Sequence, residues 1–220
     1  MLDIALLTDV SAAGTPVARL LLAHGAGAGM DSAFMTDIAA LLSARGIAVS
    51  RFEFAYMAQR RIDGRRRPPP RVEVLQGEFI NAVAACRAQA AHAALPLQIG
   101  GKSMGGRIAT LIAPPLFASG AIAGVVCLGY PFHPAGKPHS LRTAHLVDYA
   151  VPTLVIQGER DALGARAEVA AYPLSRTIEF SWAIDGDHDL APRASRGTTH
   201  LANLEAAADA IVGFATRRVA

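Results

Sequence analysis

The sequence Gly101-Lys102-Ser103-Met104-Gly105 lies where a mostly apolar run that ends at Gly100 meets a helix-like run, Met104 to Ile112. It is a G-x-S-x-G pentapeptide at a predicted strand-to-helix junction, the position at which a serine hydroxyl is exposed on a tight turn. A serine in such a strained backbone needs neighbours without a Cβ atom, which explains the flanking glycines. The pentapeptide therefore predicts that Ser103 is a nucleophile, and an ordinary turn serine is the alternative.

Segments typical of strands and of helices alternate along the rest of the chain. The predicted strands are Val17 to Ala23, Ile47 to Phe54, Leu97 to Gly100, Ile122 to Leu128, Thr153 to Gln157 and Ile178 to Ile184. The predicted helices are one marked by Phe34, Ile38 and Leu41, and others at Val72 to Ala90, Met104 to Ile112, Ala165 to Ala171 and Leu201 to Ala215. This alternation predicts an α/β fold with a mostly parallel β-sheet and helices on both faces.

Length and composition predict a single cytoplasmic domain. The chain has 220 residues, is 52% hydrophobic and contains no linker-like segment, so residues 1–220 are predicted to form one domain around one core. Residues Met1 to Val10 lack the basic start and the apolar core of a signal peptide, and no long uncharged apolar run follows. Cys86 and Cys127 lack metal-ligand spacing and are predicted to be small core residues.

The positive charge is concentrated in one segment. The net charge is +3, and six arginines lie close together at Arg60, Arg61, Arg65, Arg66, Arg67 and Arg71. This segment lacks the aromatic residues or the recognition helix of a nucleic-acid site, so it is predicted to be a solvated loop and no nucleic acid is expected. The alternative is that one or two of these arginines lie over the active site and favour anionic substrates.

A serine nucleophile requires a base, usually a histidine, that a carboxylate orients. Asp161 follows one predicted strand and His188 follows the next, so both are expected near the edge of the sheet that carries Ser103. The order Ser103, Asp161, His188 is that of the α/β-hydrolase arrangement. Glu159 lies two residues before Asp161 and is the alternative carboxylate.

Two backbone N–H groups are needed to bind the oxyanion, one from the residue after the nucleophile and one from an early strand-to-helix loop. Met104 supplies the first, and Ala26 in the small-residue loop His24-Gly25-Ala26-Gly27 is predicted to supply the second. His24 is predicted to have a structural role, holding backbone by hydrogen bonding, rather than a catalytic one.

With these residues in place, the chain resembles the α/β-hydrolase superfamily, and within it the small lidless enzymes similar to dienelactone hydrolase. A closer resemblance is to the hydrolase-like domain shared by bacterial proteins and the third regulatory subunit of the human non-specific-lethal acetyltransferase complex. The segments that carry this resemblance are His24-Gly25-Ala26-Gly27-Ala28-Gly29-Met30-Asp31, Arg51-Phe52-Glu53-Phe54-Ala55-Tyr56-Met57, Gly100-Gly101-Lys102-Ser103-Met104-Gly105-Gly106-Arg107 and Gly129-Tyr130-Pro131-Phe132-His133-Pro134. The resemblance implies an eight-strand-type fold with Ser103, Asp161 and His188 as a triad. Dienelactone hydrolases carry a cysteine where this chain has Ser103, so their substrate is not carried over.

Other side chains are candidates for the surroundings of the site. The predicted substrate-binding residues are Gly25, Tyr56, Met57, Tyr130 and Phe132, although aromatic residues near strand ends are more often part of a core. Lys102 is expected to be exposed near the pocket, and Arg107 is expected on the helix behind the nucleophile.

No metal or cofactor is predicted. Three histidines and an aspartate, His133, His139, His145 and Asp148, are the only set that suggests a metal site, and their spacing matches neither a helix face nor a zinc finger.

The connection after the strand that ends at Leu128 is too short for both a helix and a lid, which predicts an open cleft. Together these features predict a serine hydrolase that acts on a small ester or thioester, as a monomer or homodimer. The rival prediction is a binding or scaffold protein that keeps the fold without meaningful catalysis, since a fold alone does not establish an activity.

Overall fold

The computed structural model, which describes residues 5–9, 14–194 and 197–217, contains a seven-stranded β-sheet. The strands are β1 (Leu6–Asp9), β2 (Ala18–Ala23), β3 (Ile47–Phe52), β4 (Leu97–Lys102), β5 (Gly124–Leu128), β6 (Thr153–Gly158) and β7 (Ile178–Ala183). Their order across the sheet is β1-β3-β2-β4-β5-β6-β7, and every pair is parallel except β1 with β3. The predicted fold class is confirmed.

Helices cover both faces of this sheet. They are α1 (Ala33–Ser43), α2 (Ala55–Asp63), α3 (Val72–Ala88), α4 (Met104–Ala118), α5 (Arg166–Val169) and α6 (His200–Thr216), with a short 3₁₀ turn at Ala144–Leu146. Side chains of β2 alternate between the two layers: Leu21 packs in the core that contains α3 and α4, whereas Leu20 and Leu22 pack in the core that contains α1 and α6. All of β2 is buried, because both faces of a parallel strand are covered.

The edge strand β1 was not predicted. It has only four residues and is only partly buried, so it lacks the long apolar run that marks the buried strands. It pairs antiparallel with β3, and its Asp9 forms an ion pair of 2.9 Å with the buried Arg51. Residues 1–4 and 10, part of the segment on which the cytoplasmic prediction depends, lie outside the described residues.

The prediction of a loop throughout the arginine segment is wrong for its first part. Helix α2 contains Arg60 and Arg61 and ends at Gly64, which has a φ of 70°. Arg61 pairs with Asp31 at 2.6 Å and with Glu53 at 2.7 Å. Asp31 lies 30 residues from Arg61 in the chain, so the local pattern of α2 did not indicate this contact.

Helix α4 also extends further than predicted, through Pro114 and Pro115 to Ala118. Pro114 has no N–H to donate to the carbonyl of Thr110, which would be its partner one turn earlier. That carbonyl instead accepts a hydrogen bond of 2.8 Å from the hydroxyl of Tyr149. In the described part of the chain, no helix is both long enough and apolar enough to cross a bilayer.

Candidate active site

Ser103 occupies the turn between β4 and α4 with φ 51° and ψ −112°, a conformation that non-glycine residues rarely adopt. Its N–H donates to the carbonyl of Leu128 at 2.9 Å. A Cβ atom at Gly101 would lie 2.3 Å from the carbonyl oxygen of Ala23, and one at Gly105 would lie 2.6 Å from it. The turn is therefore pressed against β2, and only glycines allow this approach.

Asp161 and His188 meet at the carboxyl ends of β6 and β7. The Nδ1 atom of His188 lies 2.8 Å from Oδ2 of the fully buried Asp161. The second carboxylate oxygen of Asp161 accepts the N–H of Leu163 at 2.8 Å. Because an ionised carboxylate only accepts, His188 must carry a proton on Nδ1, which leaves its Nε2 free to act as a base.

Gln157, the next-to-last residue of β6, was missed by the sequence analysis although it holds Asp161 in place. Its Nε2 donates to Oδ2 of Asp161 at 2.8 Å and to the carbonyl of Gly164 at 3.1 Å. Its Oε1 accepts the N–H of Tyr130 at 2.7 Å, which fixes the orientation of the amide. The available signal was an amide side chain near the end of a mostly apolar, fully buried strand.

Glu159, the alternative carboxylate, makes no hydrogen bond to His188 among the described residues and has other partners. It accepts the N–H of Asp185 at 3.0 Å and pairs with Arg166 at 2.7 Å. These contacts lower the pKa of Glu159 and tie it to the loop after β7. The geometry thus favours Asp161 as the partner of the histidine.

Lys102 is buried, contrary to the expectation that it would be exposed. Its ammonium group donates to the carbonyl of His188 at 2.6 Å, forms an ion pair of 3.1 Å with Asp189 and lies 5.2 Å from the centre of the Phe34 ring. Burial lowers its pKa, whereas Asp189 raises it. Lys102 therefore ties the nucleophile turn to the loop that carries His188.

Replacing Lys102 with methionine should remove this tie while preserving most of the volume of the side chain. We expect kcat on an activated ester to fall by about 10-fold or more, since small displacements of a catalytic group are costly. Lys137, the other lysine of the chain, is exposed, and Lys137→Met is the matched control. A Lys102→Met protein with unchanged kcat would show that the His188 loop holds its position without the lysine.

Two side chains hold the loop after β2: His24, at the start of the loop, and Tyr56, from outside it. His24 is fully buried; its Nδ1 lies 2.7 Å from the carbonyl of Gly25, and its Nε2 accepts the N–H of Phe54 at 3.1 Å. Burial lowers the pKa of His24, in keeping with a neutral ring in a structural role. The hydroxyl of Tyr56 donates to the carbonyl of Ala26 at 3.0 Å.

The N–H groups of Ala26 and Met104 are available to a ligand. Neither donates a hydrogen bond to any residue within 5–9, 14–194 and 197–217. Met104 is the first residue of α4, where backbone N–H groups have no partner within the helix and the helix dipole favours negative charge. Both residues line a cavity with Ser103, which is the placement that an oxyanion site requires.

Two cavities meet at Ser103 and Ala26. The first, called the α4 cavity here, has a volume of about 420 Å³ and lies over the start of α4. The second, the α1 cavity, has a volume of about 440 Å³ and contains Gly25, Lys102, His188 and the start of α1. Ser103 and His188 share the α1 cavity, although no hydrogen bond joins them among the described residues; such contacts are often long before substrate binds.

Most of the side chains predicted to bind substrate lie elsewhere, and only Gly25 lines a cavity beside Ser103. Tyr130 and Phe132 are buried in the core, because the chain turns inward after β5. Tyr56 is buried and holds the loop, and Met57 lines a separate cavity beside α2. The helix behind the nucleophile does carry Arg107, as expected, but its side chain lines the α4 cavity.

The histidines singled out in the sequence do not form a cluster. Across the described ranges, no three His, Cys, Asp or Glu side chains are arranged to hold a metal ion. Cys86 and Cys127 are both buried free thiols.

Comparison with known proteins places this site in a recognised fold. A family model described as alpha/beta hydrolase domain matches residues 16–216. That stretch contains every element from β2 to α6, and with them Ser103, Asp161 and His188.

Solved structures of similar fold include several hydrolases. An α/β serine hydrolase without a lid from Xanthomonas campestris has a TM-score of 0.61 and 19% identity, covering 85% of this chain and 81% of its own. Dienelactone hydrolase from Anabaena variabilis has a TM-score of 0.67 and 20% identity over 98% of this chain and 90% of its own. An esterase domain from Rhodothermus marinus has a TM-score of 0.63 and 18% identity over 100% of both chains. Identities this low show a common fold alone.

Proposed function

Since the chain belongs to the alpha/beta hydrolase domain family, which supports hydrolytic activity in general, we propose that it is a serine hydrolase that cleaves a carboxylic ester or thioester. The observation that carries this proposal is the hydrogen bond from His188 to the buried Asp161. His188 shares one open cavity with Ser103, whose backbone is strained. The similar folds of an esterase domain and of dienelactone hydrolase agree with this choice.

The reaction proceeds through an acyl-enzyme. Ser103 Oγ attacks the carbonyl carbon while His188 Nε2 takes its proton, and Asp161 stabilises the resulting imidazolium. The carbonyl oxygen becomes an oxyanion that accepts the N–H groups of Ala26 and Met104. His188 then protonates the departing alcohol or thiol, and the C–O or C–S bond breaks.

Water completes the cycle. It enters the place of the leaving group, His188 removes its proton, and the hydroxyl attacks the acyl carbon. When the tetrahedral intermediate collapses, the bond to Ser103 breaks, and His188 returns the proton to the serine.

Intact-protein mass after treatment with a fluorophosphonate tests this proposal. We expect one adduct per chain on the wild-type protein and none on Ser103→Ala, because the reagent requires an activated serine beside an oxyanion site. The chain has other serines, so Ser119→Ala, an exposed serine at the end of α4, is the control that should still form the adduct. Folded wild-type protein that forms no adduct would refute the proposal and leave the scaffold hypothesis.

A further inference from the structure

The α4 cavity contains two guanidinium groups without a protein partner. Arg107 and Arg142, both half-buried, line it together with Ser103. The side chain of neither arginine makes a hydrogen bond or an ion pair within the described residues, and the Nε atom of Arg107 is buried. A buried cationic donor without an acceptor costs free energy, so such groups normally find a partner.

Other arginines in this protein have found partners. Arg51, which is 3% exposed, pairs with Asp9, and the buried Arg19 donates to the carbonyl of Cys86. Arg160 pairs with Asp185 at 3.0 Å. Among the buried and half-buried arginines of the described residues, only Arg107 and Arg142 lack a partner for the side chain, and both line the α4 cavity.

The surroundings of the two arginines intensify their positive potential. Burial and the proximity of Arg107 lower the pKa of Arg142. The same two causes lower the pKa of His145 to about 4, so its ring is neutral and supplies no counter-charge. No carboxylate of the described residues lines the cavity; its remaining walls are apolar or small, with Pro69, Pro70, Leu75, Ile108 and Leu163 among them.

The two cavities differ in their access to His188. The histidine lines the α1 cavity and not the α4 cavity. Because His188 protonates the leaving group, the leaving group must lie on its side of Ser103, in the α1 cavity. The acyl group then lies in the α4 cavity, with the arginines.

We propose that Arg107 and Arg142 form a subsite for an anionic oxygen group, a carboxylate or a phosphate, on the acyl part of the substrate. The substrate class is accordingly a monoester or monothioester of a dicarboxylic acid, or its phosphate-bearing counterpart, with a short apolar chain between the scissile carbonyl and the anion. This assignment of the acyl side depends on the proposed function. Planar guanidinium groups suit either anion, because each can donate two parallel hydrogen bonds.

Matched pairs of esters test this subsite. In the first pair, mono(4-nitrophenyl) adipate is compared with 4-nitrophenyl hexanoate, which has the same methylene chain and a methyl group in place of the carboxylate. In the second pair, the charge is on the leaving group: 4-carboxyphenyl hexanoate is compared with phenyl hexanoate. The readout is the ratio of kcat/KM for the anionic ester to that for the neutral ester, which cancels general losses of activity.

We expect wild-type protein to favour the adipate ester, and Arg107→Gln or Arg142→Gln to lower that ratio by about 10-fold each, the effect of losing one hydrogen bond to a charged group. Arg66→Gln removes the same charge from an exposed position and should leave the ratio within about twofold, since exposed charges are screened. Ratios that stay constant in both cavity variants would overturn the subsite. A preference confined to the second ester pair would overturn the acyl-side assignment.

A binding measurement separates failure of the subsite from failure of the proposed function. Isothermal titration of the folded proteins with adipate and with inorganic phosphate requires no turnover. If no ester is cleaved and no fluorophosphonate adduct forms, but adipate or phosphate binds wild type and not the two cavity variants, the anion subsite is supported and the hydrolase proposal is refuted. If there is no turnover, no adduct and no binding, both are refuted.

Discussion

Replacement of Asp161 by asparagine is expected to lower kcat on an activated ester by about 10⁴-fold while leaving the protein folded. The replacement keeps the shape of the side chain and changes one carboxylate oxygen into an NH₂ group. The N–H of Leu163 requires an acceptor at Oδ1, so the new NH₂ group faces Gln157 and His188.

Two donors would then meet at His188. Because the amide of Gln157 is fixed by Tyr130, it cannot turn to offer its oxygen. His188 relieves the conflict by moving its proton from Nδ1 to Nε2, and a protonated Nε2 cannot accept the proton of Ser103. The large loss of rate therefore follows from the tautomer and does not require a displaced ring.

The measurement is the steady-state kcat of Asp161→Asn with 4-nitrophenyl acetate, together with its thermal unfolding temperature. Glu159→Gln is the matched control, because it alters a nearby carboxylate that bonds to Arg166 instead of His188. If Glu159→Gln lost as much activity as Asp161→Asn, the role assigned to Asp161 would be wrong.

The second large effect concerns stability. Gly101→Ala should lower the free energy of unfolding by about 3 kcal/mol or more, at the upper end of the cost of overpacking. The added Cβ would lie 2.3 Å from the carbonyl oxygen of Ala23, and backbone at the centre of a sheet cannot move away as a side chain can.

Urea denaturation followed by circular dichroism measures this loss, with Gly77→Ala as the control. Gly77 is exposed in α3 and has open space where the Cβ would be placed. Alanine there should stabilise the protein by about 0.5–1 kcal/mol through its better helix propensity. A loss below about 1 kcal/mol for Gly101→Ala would show that the turn relaxes, since about 1 kcal/mol is the cost of an average point substitution.

The sequence predicted the parts of this protein that depend on local pattern. Buried parallel strands have continuous apolar runs, and the glycines around Ser103 indicate a close approach of backbone. Asp161 and His188 could be predicted because each follows such a strand, so the topology brings them to one edge of the sheet.

Side-chain environments made by distant segments could not be predicted in this way. Lys102 is buried by its contacts with His188 and Asp189, which lie more than eighty residues away in the chain. Gln157 gave a weak signal, as one polar residue in a buried strand. The alternative that one or two arginines of residues 60–71 lie over the active site does not match the cavities beside Ser103, where Arg107 and Arg142 line the α4 cavity instead.

The prolines within helix α4 have a consequence for folding. Pro114 leaves the carbonyl of Thr110 dependent on the hydroxyl of Tyr149, which belongs to the connection between β5 and β6. The helix that begins at the nucleophile therefore cannot satisfy its own backbone before that connection docks. This hydrogen bond couples the stability of the helix to that of the connection. The helix that begins at the nucleophile is thus tied to a segment beyond the next strand, and we expect loss of the Tyr149 hydroxyl to weaken both.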